Sequence, residues 1–289
     1  KQSTFTENSF KKYKTIKGHL VGFEIYDKNE LSLKTINNNT LERLQSYFFI
    51  EAKLVTATTR KNILIFKSFL NWAFENGFLE NMSYKAFKPK NAPPKRHIVL
   101  TPLDIEKLEN VDLTTNYLIN ARELLILSTL TGLRFSDYSK ISKEHIKVKE
   151  NGEEVLLIRT NKTREFVELP LTPRAKDIIH KLLNGDIHSI SNQKMNVYAK
   201  DVCELAEINE ICEVFQDRGA ISISKKEPKY NLITTHTGRR TFCTNLLLKG
   251  VPAEVIMEYT GHKSYASFSK YVNIPKQTEF DIIKSALMG

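Results

Sequence analysis

The chain has 289 residues, a formal net charge of +10 and a hydrophobic fraction of 41%. This hydrophobic fraction excludes a mostly disordered chain, and the length predicts about two domains. We see neither a signal peptide at the start nor an apolar run of the roughly 18 residues that a membrane span needs, so no membrane partner is expected. Three scattered cysteines without a CxxC pair favour a reducing cytoplasm over a disulfide scaffold or a structural zinc site.

The first third of the chain predicts a small bundle of helices. Apolar residues recur at every third or fourth position from Phe10 to Phe23, and again after Thr40 and after Thr58. The pair Asn76-Gly77 predicts the end of the third helix, because glycine readily adopts the left-handed conformation that follows a helix.

The positive charge is concentrated in this predicted bundle. Residues 1–97 contain 17 lysines and arginines against 8 acidic residues, whereas residues 98–289 contain 26 against 25. Such asymmetry predicts a polyanion-binding module joined to a nearly neutral one. Solvated lysines are also common on helix surfaces, so a basic bundle that binds no polyanion remains an alternative interpretation. The lysines proposed to contact phosphates are Lys11, Lys12, Lys61 and Lys67.

A segment rich in proline and lysine, Lys88 to Lys95, follows the bundle and predicts an extended linker. Directly after it, Thr101-Pro102 predicts the start of a helix, with Asp104 in the first turn.

The remaining two thirds predict helices around one compact antiparallel sheet. A buried helix is expected to end at Gly132, and helices are expected again from Thr172-Pro173 and over the last sixty residues. The region from Ile221 to Leu232 is ambiguous and is compatible with a second hairpin. The sheet is predicted from strands near Ile146, at Val155–Ile158 and at Phe166–Leu169.

Common signatures of cofactor-dependent enzymes are absent from the sequence. There is no GxxxxGK[ST] phosphate loop, no HExxH or acidic pair with metal spacing, and no GxSxG. We therefore expect no ATP, no metal site and no other cofactor.

Two short motifs place arginines beside other polar groups. Arg134 follows a glycine turn in TGLRFSD, and His236 and Arg239 stand three residues apart in HTGRR, so that they share a face if this segment is helical. Taken singly, the first is more often a structural ion pair with Asp137, and the second is more often the start of a surface helix.

A third motif contains a histidine and a tyrosine. His262 follows Gly261, and Tyr271 lies nine residues beyond that histidine. By itself, Tyr271 is more often a half-buried aromatic side chain.

In combination, the motifs resemble the signature of the tyrosine recombinase (phage-type integrase) family. That signature has an arginine in a TGLR turn, a lysine on a β-hairpin, an HxxR box, a GH dipeptide and a tyrosine nine residues after its histidine. All five elements occur here in this order, and Lys162, between the two predicted strands, corresponds to the lysine. The segments THTGRRTF and TGHKSYASFSKY look most like integrases of mobile elements in Bacteroidetes-type bacteria.

The resemblance implies a fold that is mainly α with a small antiparallel β-sheet. It divides the chain into a helical, SAM-like core-binding domain at 1–87, a linker at 88–97 and a mixed α/β catalytic domain of the tyrosine recombinase type at 98–289. Many integrases carry an arm-binding domain before these two, and the sequence leaves open whether one precedes residue 1.

The resemblance also implies a role for each motif in site-specific DNA recombination. Arg134 and Arg239 would hold the scissile phosphate and do what a metal does elsewhere. Tyr271 would attack phosphorus, which gives a 3′-phosphotyrosyl link and a free 5′-OH. His236 is the candidate base, and Lys162 would protonate the leaving oxygen.

Further residues have secondary or competing roles. His262 would donate a hydrogen bond to a phosphate oxygen, and Asp137 would orient Arg134. Arg159 and Arg164 compete with Lys162 within the same turn. Tyr259 and Tyr265 lie close to Tyr271 in sequence, but the nine-residue spacing favours Tyr271.

The expected partner is double-stranded DNA carrying a recombination site, with action in the cytoplasm at the nucleoid. Lys95, Arg96 and Arg240 complete the predicted DNA contacts. The family resemblance implies that four protomers assemble a synapse in which the C-terminal segment of each packs on a neighbour. Without DNA the protein is expected to be a monomer or a weak oligomer. An accessory DNA-bending factor is a possible further partner. A type IB topoisomerase and a non-catalytic DNA-binding relative are the alternatives; the motif spacing argues against the first, and the intact set of site residues against the second.

Overall fold

The computed structural model describes residues 7–93, 97–274 and 276–288, which form helices and two antiparallel sheets. The α-helices are α1 (Glu7–Asp27), α2 (Asn38–Ile50), α3 (Thr56–Glu75), α4 (Pro102–Asn110), α5 (Asn116–Thr131), α6 (Phe135–Tyr138), α7 (Pro173–Asn184), α8 (Asn192–Leu205), α9 (Thr235–Leu248), α10 (Ala253–Thr260), α11 (Tyr265–Phe268) and α12 (Lys276–Met288). The strands are β1 (Ile146–Val148), β2 (Glu154–Arg159), β3 (Phe166–Pro170), β4 (Ile211–Arg218) and β5 (Ile221–Pro228).

The described residues divide into two compact units. The first comprises residues 7–93 together with Glu213–Lys225, and the second comprises residues 97–212 and 226–288. The predicted fold class, mainly α with a small antiparallel sheet, is confirmed. No helix in these described ranges has the length and apolar character needed to cross a bilayer.

The first unit is built on the predicted bundle of α1, α2 and α3. Phe23, Leu44, Phe48 and Phe66 are among its buried side chains, as the helical spacing of apolar residues requires. Helix α2 begins slightly earlier than the sequence suggests, because Asn37 accepts a hydrogen bond from the backbone N–H of Thr40 and caps the helix.

Residues Glu213–Lys225, which form most of the β4–β5 hairpin, complete this first unit. The tip of this hairpin packs on α3 through Thr56, whose hydroxyl donates to the carbonyl of Asp217 (2.9 Å) and accepts from the N–H of Gly219 (3.1 Å). Lys90 donates to the carbonyl of Gly219 at 2.6 Å. The ambiguous region of the sequence is therefore a hairpin, and it begins ten residues earlier than the segment that suggested it, at Ile211.

Helix α5 lies in the core of the second unit, in contact with α7, α8 and α9. Its residues are buried on all sides, which explains why the sequence here is almost continuously apolar rather than amphipathic. The helix ends where predicted, at Gly132 with φ of +64°, and a side chain at this glycine would collide with the ring of Phe242.

The sheet of the second unit has the order β1-β2-β3, with all neighbours antiparallel. Leu156 pairs with Leu169 and Ile158 with Val167, and all four side chains are buried. This register places the turn that contains Lys162 at the end of the β2–β3 hairpin.

Candidate active site

The first turn of α9 presents the HxxR pair. Thr234 caps the helix, and its N–H donates to the hydroxyl of Thr237 at 2.9 Å. His236 and Arg239 therefore stand one helical turn apart on the same face. His236 is exposed, whereas Arg239 is only 1% exposed.

Arg239 is held by backbone carbonyls instead of a carboxylate. Its Nη1 donates to the carbonyl of Gly132 at 2.7 Å, and its Nη2 donates to the carbonyl of Thr260. Burial, with a contribution from Arg134, lowers the pKa of Arg239 to about 10. Gly132 thus ends α5 and at the same time orients the guanidinium from α9.

Arg134 lies close enough to Arg239 to act on its pKa, and no carboxylate among the described residues forms an ion pair with Arg134. The residue is 8% exposed, and its Nε and Nη1, like Nε of Arg239, are buried without a hydrogen-bond partner among the described residues. A buried cation without an anionic partner is costly. Two such guanidinium groups together make a site that is suited to an anion with several oxygens, such as a phosphate.

Asp137 connects the TGLR turn to the β2–β3 turn. Its Oδ1 accepts from the N–H of Asn161 at 2.9 Å, while the Asn161 amide donates to the carbonyl of Ser136 at 2.6 Å. Its Oδ2 has no hydrogen-bond partner within the described ranges. The contacts of Asp137 thus position the residue before Lys162. This role is different from the predicted one, in which Asp137 orients Arg134.

Lys162 is exposed on the β2–β3 turn, and its charge helps to lower the pKa values of both His236 and His262. Its rivals in the turn have other contacts. The Arg159 guanidinium lies 5.8 Å from the ring centroid of Phe166, and its Nε donates to the carbonyl of Arg164.

Gly261 brings the GH dipeptide against this turn. Its φ is +62°, and a Cβ there would lie 3.3 Å from Oγ1 of Thr163. The next residue, His262, has its Nδ1 at 2.7 Å from the hydroxyl of Thr260. Burial, followed by the charges of the two arginines and Lys162, lowers the pKa of His262 to about 3, so this imidazole is neutral near pH 7.

Tyr271 lies among these groups, in a 3₁₀ turn after α11. Its ring centroid is 4.8 Å from that of His262 and 6.2 Å from that of His236, and the Arg239 guanidinium carbon lies 5.2 Å from it. By contrast Tyr265 is 64% exposed and packs on Phe268. The structure thus brings Tyr271, rather than Tyr265, to Arg239 and the two histidines.

The profile of the Phage integrase family matches residues 99–278, and that of the Phage integrase SAM-like domain matches residues 1–90. The chain belongs to the phage integrase family. This membership makes it a tyrosine recombinase, an enzyme of site-specific DNA recombination.

Relatives of this tyrosine recombinase support the same family. A tyrosine recombinase of Pseudothermotoga lettingae is 24% identical over 274 residues, which cover 90% of this chain and 86% of the relative. The tyrosine recombinase XerC of Thermodesulfovibrio yellowstonii is 26% identical over 233 residues, covering 78% and 73%.

Solved structures share the fold. A lambda integrase dimer bound to a COC′ core site superposes with a TM-score of 0.67 at 14% identity, covering 93% of this chain and 89% of that one. The Tn1549 transposon integrase in complex with transposon right end DNA gives a TM-score of 0.70 at 13% identity, covering 99% and 96%.

The lysines predicted in the N-terminal unit of this recombinase fall into different settings. Lys12 and Lys61 line one groove of about 540 Å³ between α1 and α3, and Arg60, which the sequence reasoning missed, lines the same groove. Lys11 forms an ion pair with Glu7 at 3.4 Å.

Lys67 and the remaining predicted DNA contacts have surroundings that differ from those of Lys12 and Lys61. Lys67 donates to the carbonyls of Lys85 (3.0 Å) and Phe87 (2.6 Å), and burial lowers its pKa. The ammonium group of Lys67 therefore holds the segment that contains Lys85 and Phe87 against α3. Arg240 is half-buried near His236 and Tyr271, two of the predicted site residues. Lys95 and Arg96 lie outside the described residues.

Within the described ranges, no group of three or more histidine, cysteine or acidic side chains could hold a metal ion. The residue that sequence reasoning passed over in the site itself is Thr260, whose carbonyl accepts from Arg239 and whose hydroxyl contacts His262. Its one sequence signal is its place directly before the GH dipeptide.

Proposed function

We propose that this recombinase cuts and rejoins DNA strands through a 3′-phosphotyrosyl intermediate on Tyr271, without metal or ATP, during integration or excision of a mobile element. The observation that carries the proposal is the pair of buried guanidinium groups of Arg134 and Arg239, which have no carboxylate partner among the described residues. Arg239 lies beside the ring of Tyr271, and Arg134 is close enough to Arg239 to help lower its pKa.

The two arginines supply the charge that phosphoryl transfer needs. Free buried donors on Arg134 and Arg239 can each bind a non-bridging oxygen of the scissile phosphate. They would stabilise the charge of the five-coordinate state as it forms, because they are already oriented in a water-poor site.

Tyr271 is the proposed nucleophile. Its oxygen forms a bond to phosphorus as the bond from phosphorus to the 5′ oxygen breaks, and the phenol proton passes to a base. A free phenol has a pKa of about 10, and neighbouring cations favour its ionised form. His236 and His262 both have rings near Tyr271 and are the two candidate acceptors.

Lys162 is proposed to protonate the departing 5′ oxygen. Its place on an exposed turn, held by the Asp137–Asn161 hydrogen bond, suits a group that must reach DNA. The phosphotyrosyl link keeps the energy of the cleaved bond, so a 5′-OH from another strand can reverse the reaction without ATP.

Duplex DNA is the proposed substrate, with the N-terminal unit binding its backbone. The groove between α1 and α3 contains Lys12, Arg60 and Lys61, three cations suited to phosphates. The domains are proposed at 1–87 and 98–289, joined by the linker at 88–97, and the enzyme would act at the nucleoid in the cytoplasm.

A tetrameric synapse with two DNA sites is proposed for the active assembly. Helix α12 has exposed apolar side chains, among them Phe280, Ile283 and Leu287, which are 62%, 59% and 81% exposed. Such a surface is typical of a helix that packs against a partner, here a neighbouring protomer.

A suicide DNA substrate, nicked so that religation is impossible, tests the chemistry. The wild type is expected to form a covalent protein–DNA adduct, and Tyr271→Phe is expected to form none because it lacks the attacking oxygen. Tyr265→Phe is the matched control and should cleave like the wild type. An adduct of unchanged yield in Tyr271→Phe would sink the assignment of the nucleophile.

Relaxation of supercoiled plasmids separates the recombinase from a type IB topoisomerase. A type IB topoisomerase would relax supercoiled plasmids of any sequence, whereas the proposed enzyme should react only with DNA that carries its site. Recombination of the ends of the mobile element that encodes the chain would test the integration or excision role.

A further inference from the structure

We propose that Asn161 is a positioning residue, whose side chain fastens the turn of Lys162 to the turn of Arg134 and so places the lysine to protonate the departing 5′ oxygen. This inference rests on the proposed function, in which Lys162 is the acid. It assigns a role to a side chain that no motif of the sequence singles out.

Asn161 attaches the β2–β3 turn to α6 at two points. Its backbone N–H donates to Oδ1 of Asp137 at 2.9 Å, and its side-chain amide donates to the carbonyl of Ser136 at 2.6 Å. A single hydrogen bond would leave the turn free to swing about that bond. Two bonds from different atoms of one residue also fix the orientation of the turn, and the second of them depends on the asparagine side chain.

The acceptors of these two bonds belong to the short helix that Arg134 begins. The carbonyl of Arg134 accepts from the N–H groups of Asp137 (2.9 Å) and Tyr138 (3.0 Å). Asp137 is only 2% exposed, so its carboxylate is a fixed anchor. The proposed phosphate ligand and the anchor of the lysine turn therefore lie in one turn of backbone, which sets the distance between the acid and the phosphate.

The β2–β3 turn is closed by its own hydrogen bonds. The N–H of Thr160 donates to the carbonyl of Glu165 at 2.9 Å, and the N–H of Arg164 donates to the carbonyl of Thr160 at 3.0 Å. Because the turn is closed in this way, a hold on Asn161 also places the backbone of the next residue, Lys162.

The other contacts of this turn give a weaker hold. On its far side Thr163 lies against Gly261, where an added Cβ would stand 3.3 Å from the threonine hydroxyl, but such a packing contact has little directional preference. The ion pair of Glu165 with Lys263, at 2.7 Å, joins side chains that are 53% and 65% exposed, so solvent screens it. Asn161 thus supplies the directional attachment.

Lys162 itself lies at the candidate site while its side chain remains exposed. Its charge contributes to lowering the pKa values of both His236 and His262, so it stands close to both histidines. The ammonium group is open to solvent and can reach DNA. The arrangement combines a fixed backbone with a long side chain that is free to follow the leaving group.

The proton balance shows which step depends on this placement. As the oxygen of Tyr271 bonds to phosphorus, the bond to the 5′ oxygen breaks and that oxygen takes a proton from the ammonium of Lys162, which becomes a neutral amine. The phenol proton passes separately to a base. On religation, the 5′-OH returns its proton to Lys162 as it attacks phosphorus.

A sulfur atom in place of the bridging 5′ oxygen removes the need for this acid. A thiol has a pKa of about 8.5, so it departs as a thiolate without protonation, whereas an alkoxide is a far stronger base. A variant that is defective solely in placing Lys162 should therefore cleave the sulfur substrate normally.

The test compares Asn161→Ala with the wild type on suicide substrates that carry either bridging atom. With oxygen, single-turnover cleavage should slow by about three- to tenfold at unchanged DNA affinity, because one of the two attachments is lost. With sulfur, the variant should cleave at the wild-type rate. Lys162→Ala should show the same pattern with a larger loss on the oxygen substrate.

Asn151→Ala is the matched control in the neighbouring turn of the same sheet. The side chain of Asn151 is exposed and accepts from the N–H of Glu153 at 3.0 Å, so its loss removes a comparable turn contact away from Lys162. This variant should cleave both substrates like the wild type. Thermal unfolding of both alanine variants shows whether either change alters the fold.

Equal slowing of Asn161→Ala on the oxygen and sulfur substrates would overturn the inference, since the defect would then lie outside leaving-group protonation. Wild-type cleavage of the oxygen substrate by Asn161→Ala would overturn it as well. If Lys162→Ala stayed slow on the sulfur substrate, or if the wild type formed no adduct, the proposed function itself would be contradicted.

Discussion

The candidate active site and the α1–α3 groove both collect positive charge, but they hold it in opposite ways. In the site, Arg134 and Arg239 are 8% and 1% exposed and lie close together. In the groove, Lys12 and Lys61 are exposed on helix surfaces, with Arg60 partly buried in the same groove. Buried guanidinium groups have a fixed geometry in a region of low dielectric, whereas exposed lysines give a diffuse and screened attraction.

This difference predicts distinct functions for the two regions. The buried arginines should determine the rate of cleavage, and the exposed cations should determine affinity and its salt dependence. Three measurements test this division of functions between the two regions.

The largest effect is expected for Arg239→Lys. Lysine keeps the charge but cannot bond at once to Gly132, Thr260 and a phosphate oxygen. Single-turnover cleavage should fall by about 10²- to 10³-fold, while the DNA affinity measured by fluorescence anisotropy should change little. Arg240→Lys is the matched control on the next residue and should lose far less activity; equal losses would remove the distinction between the two arginines.

The next effect concerns pH and stability. The pKa of His262 is lowered to about 3 in the folded chain, below the value of about 6.5 expected when unfolded. Between these values the unfolded state binds more protons, so the free energy of unfolding should fall as the pH drops below 6.5, by up to about 2 kcal/mol at pH 5. Urea unfolding of the wild type and His262→Gln at pH 7.5 and pH 5 checks this. A pH dependence of the same size in the variant would assign it to other groups.

The smallest effect per residue is expected in the groove. Replacing Lys12 or Lys61 by glutamine should weaken DNA binding at every sequence and reduce the slope of log K against log salt by about 0.9 each. The cleavage rate at saturating DNA should stay the same. Lys67→Gln serves as a contrast, because its ammonium group already binds two backbone carbonyls and should leave the salt slope unchanged. If all three variants changed the slope equally, the groove would have no special role.

Much of the fold could be predicted because its signals are local. The cap at Thr101 with Pro102, the helix end at Gly132 and the three strands of the sheet follow from turn chemistry and apolar spacing within short segments. The start of the β4–β5 hairpin at Ile211 could not be placed in this way. The tip of this hairpin is held by a hydrogen bond between Asp217 and Thr56, which lie 161 residues apart in the chain.

The candidate site was predictable in its residue types but not in its hydrogen bonds. The motifs identified Arg134, His236, Arg239, His262 and Tyr271 as a group, and the fold brings these residues together. The role of Asp137 in holding Asn161 depends on two turns 24 residues apart, and no pattern in either turn indicates it.

The sequence by itself determined where charge is concentrated along the chain, which segments form helices and strands, and which family the motifs resemble, because propensity, spacing and net charge are properties of neighbouring residues. Which cations are buried and which lysine is committed to backbone carbonyls follow only from the tertiary structure. Burial and hydrogen-bond direction depend on atoms brought together from α5, α9, α10 and the β2–β3 turn, so they arise only when those elements pack.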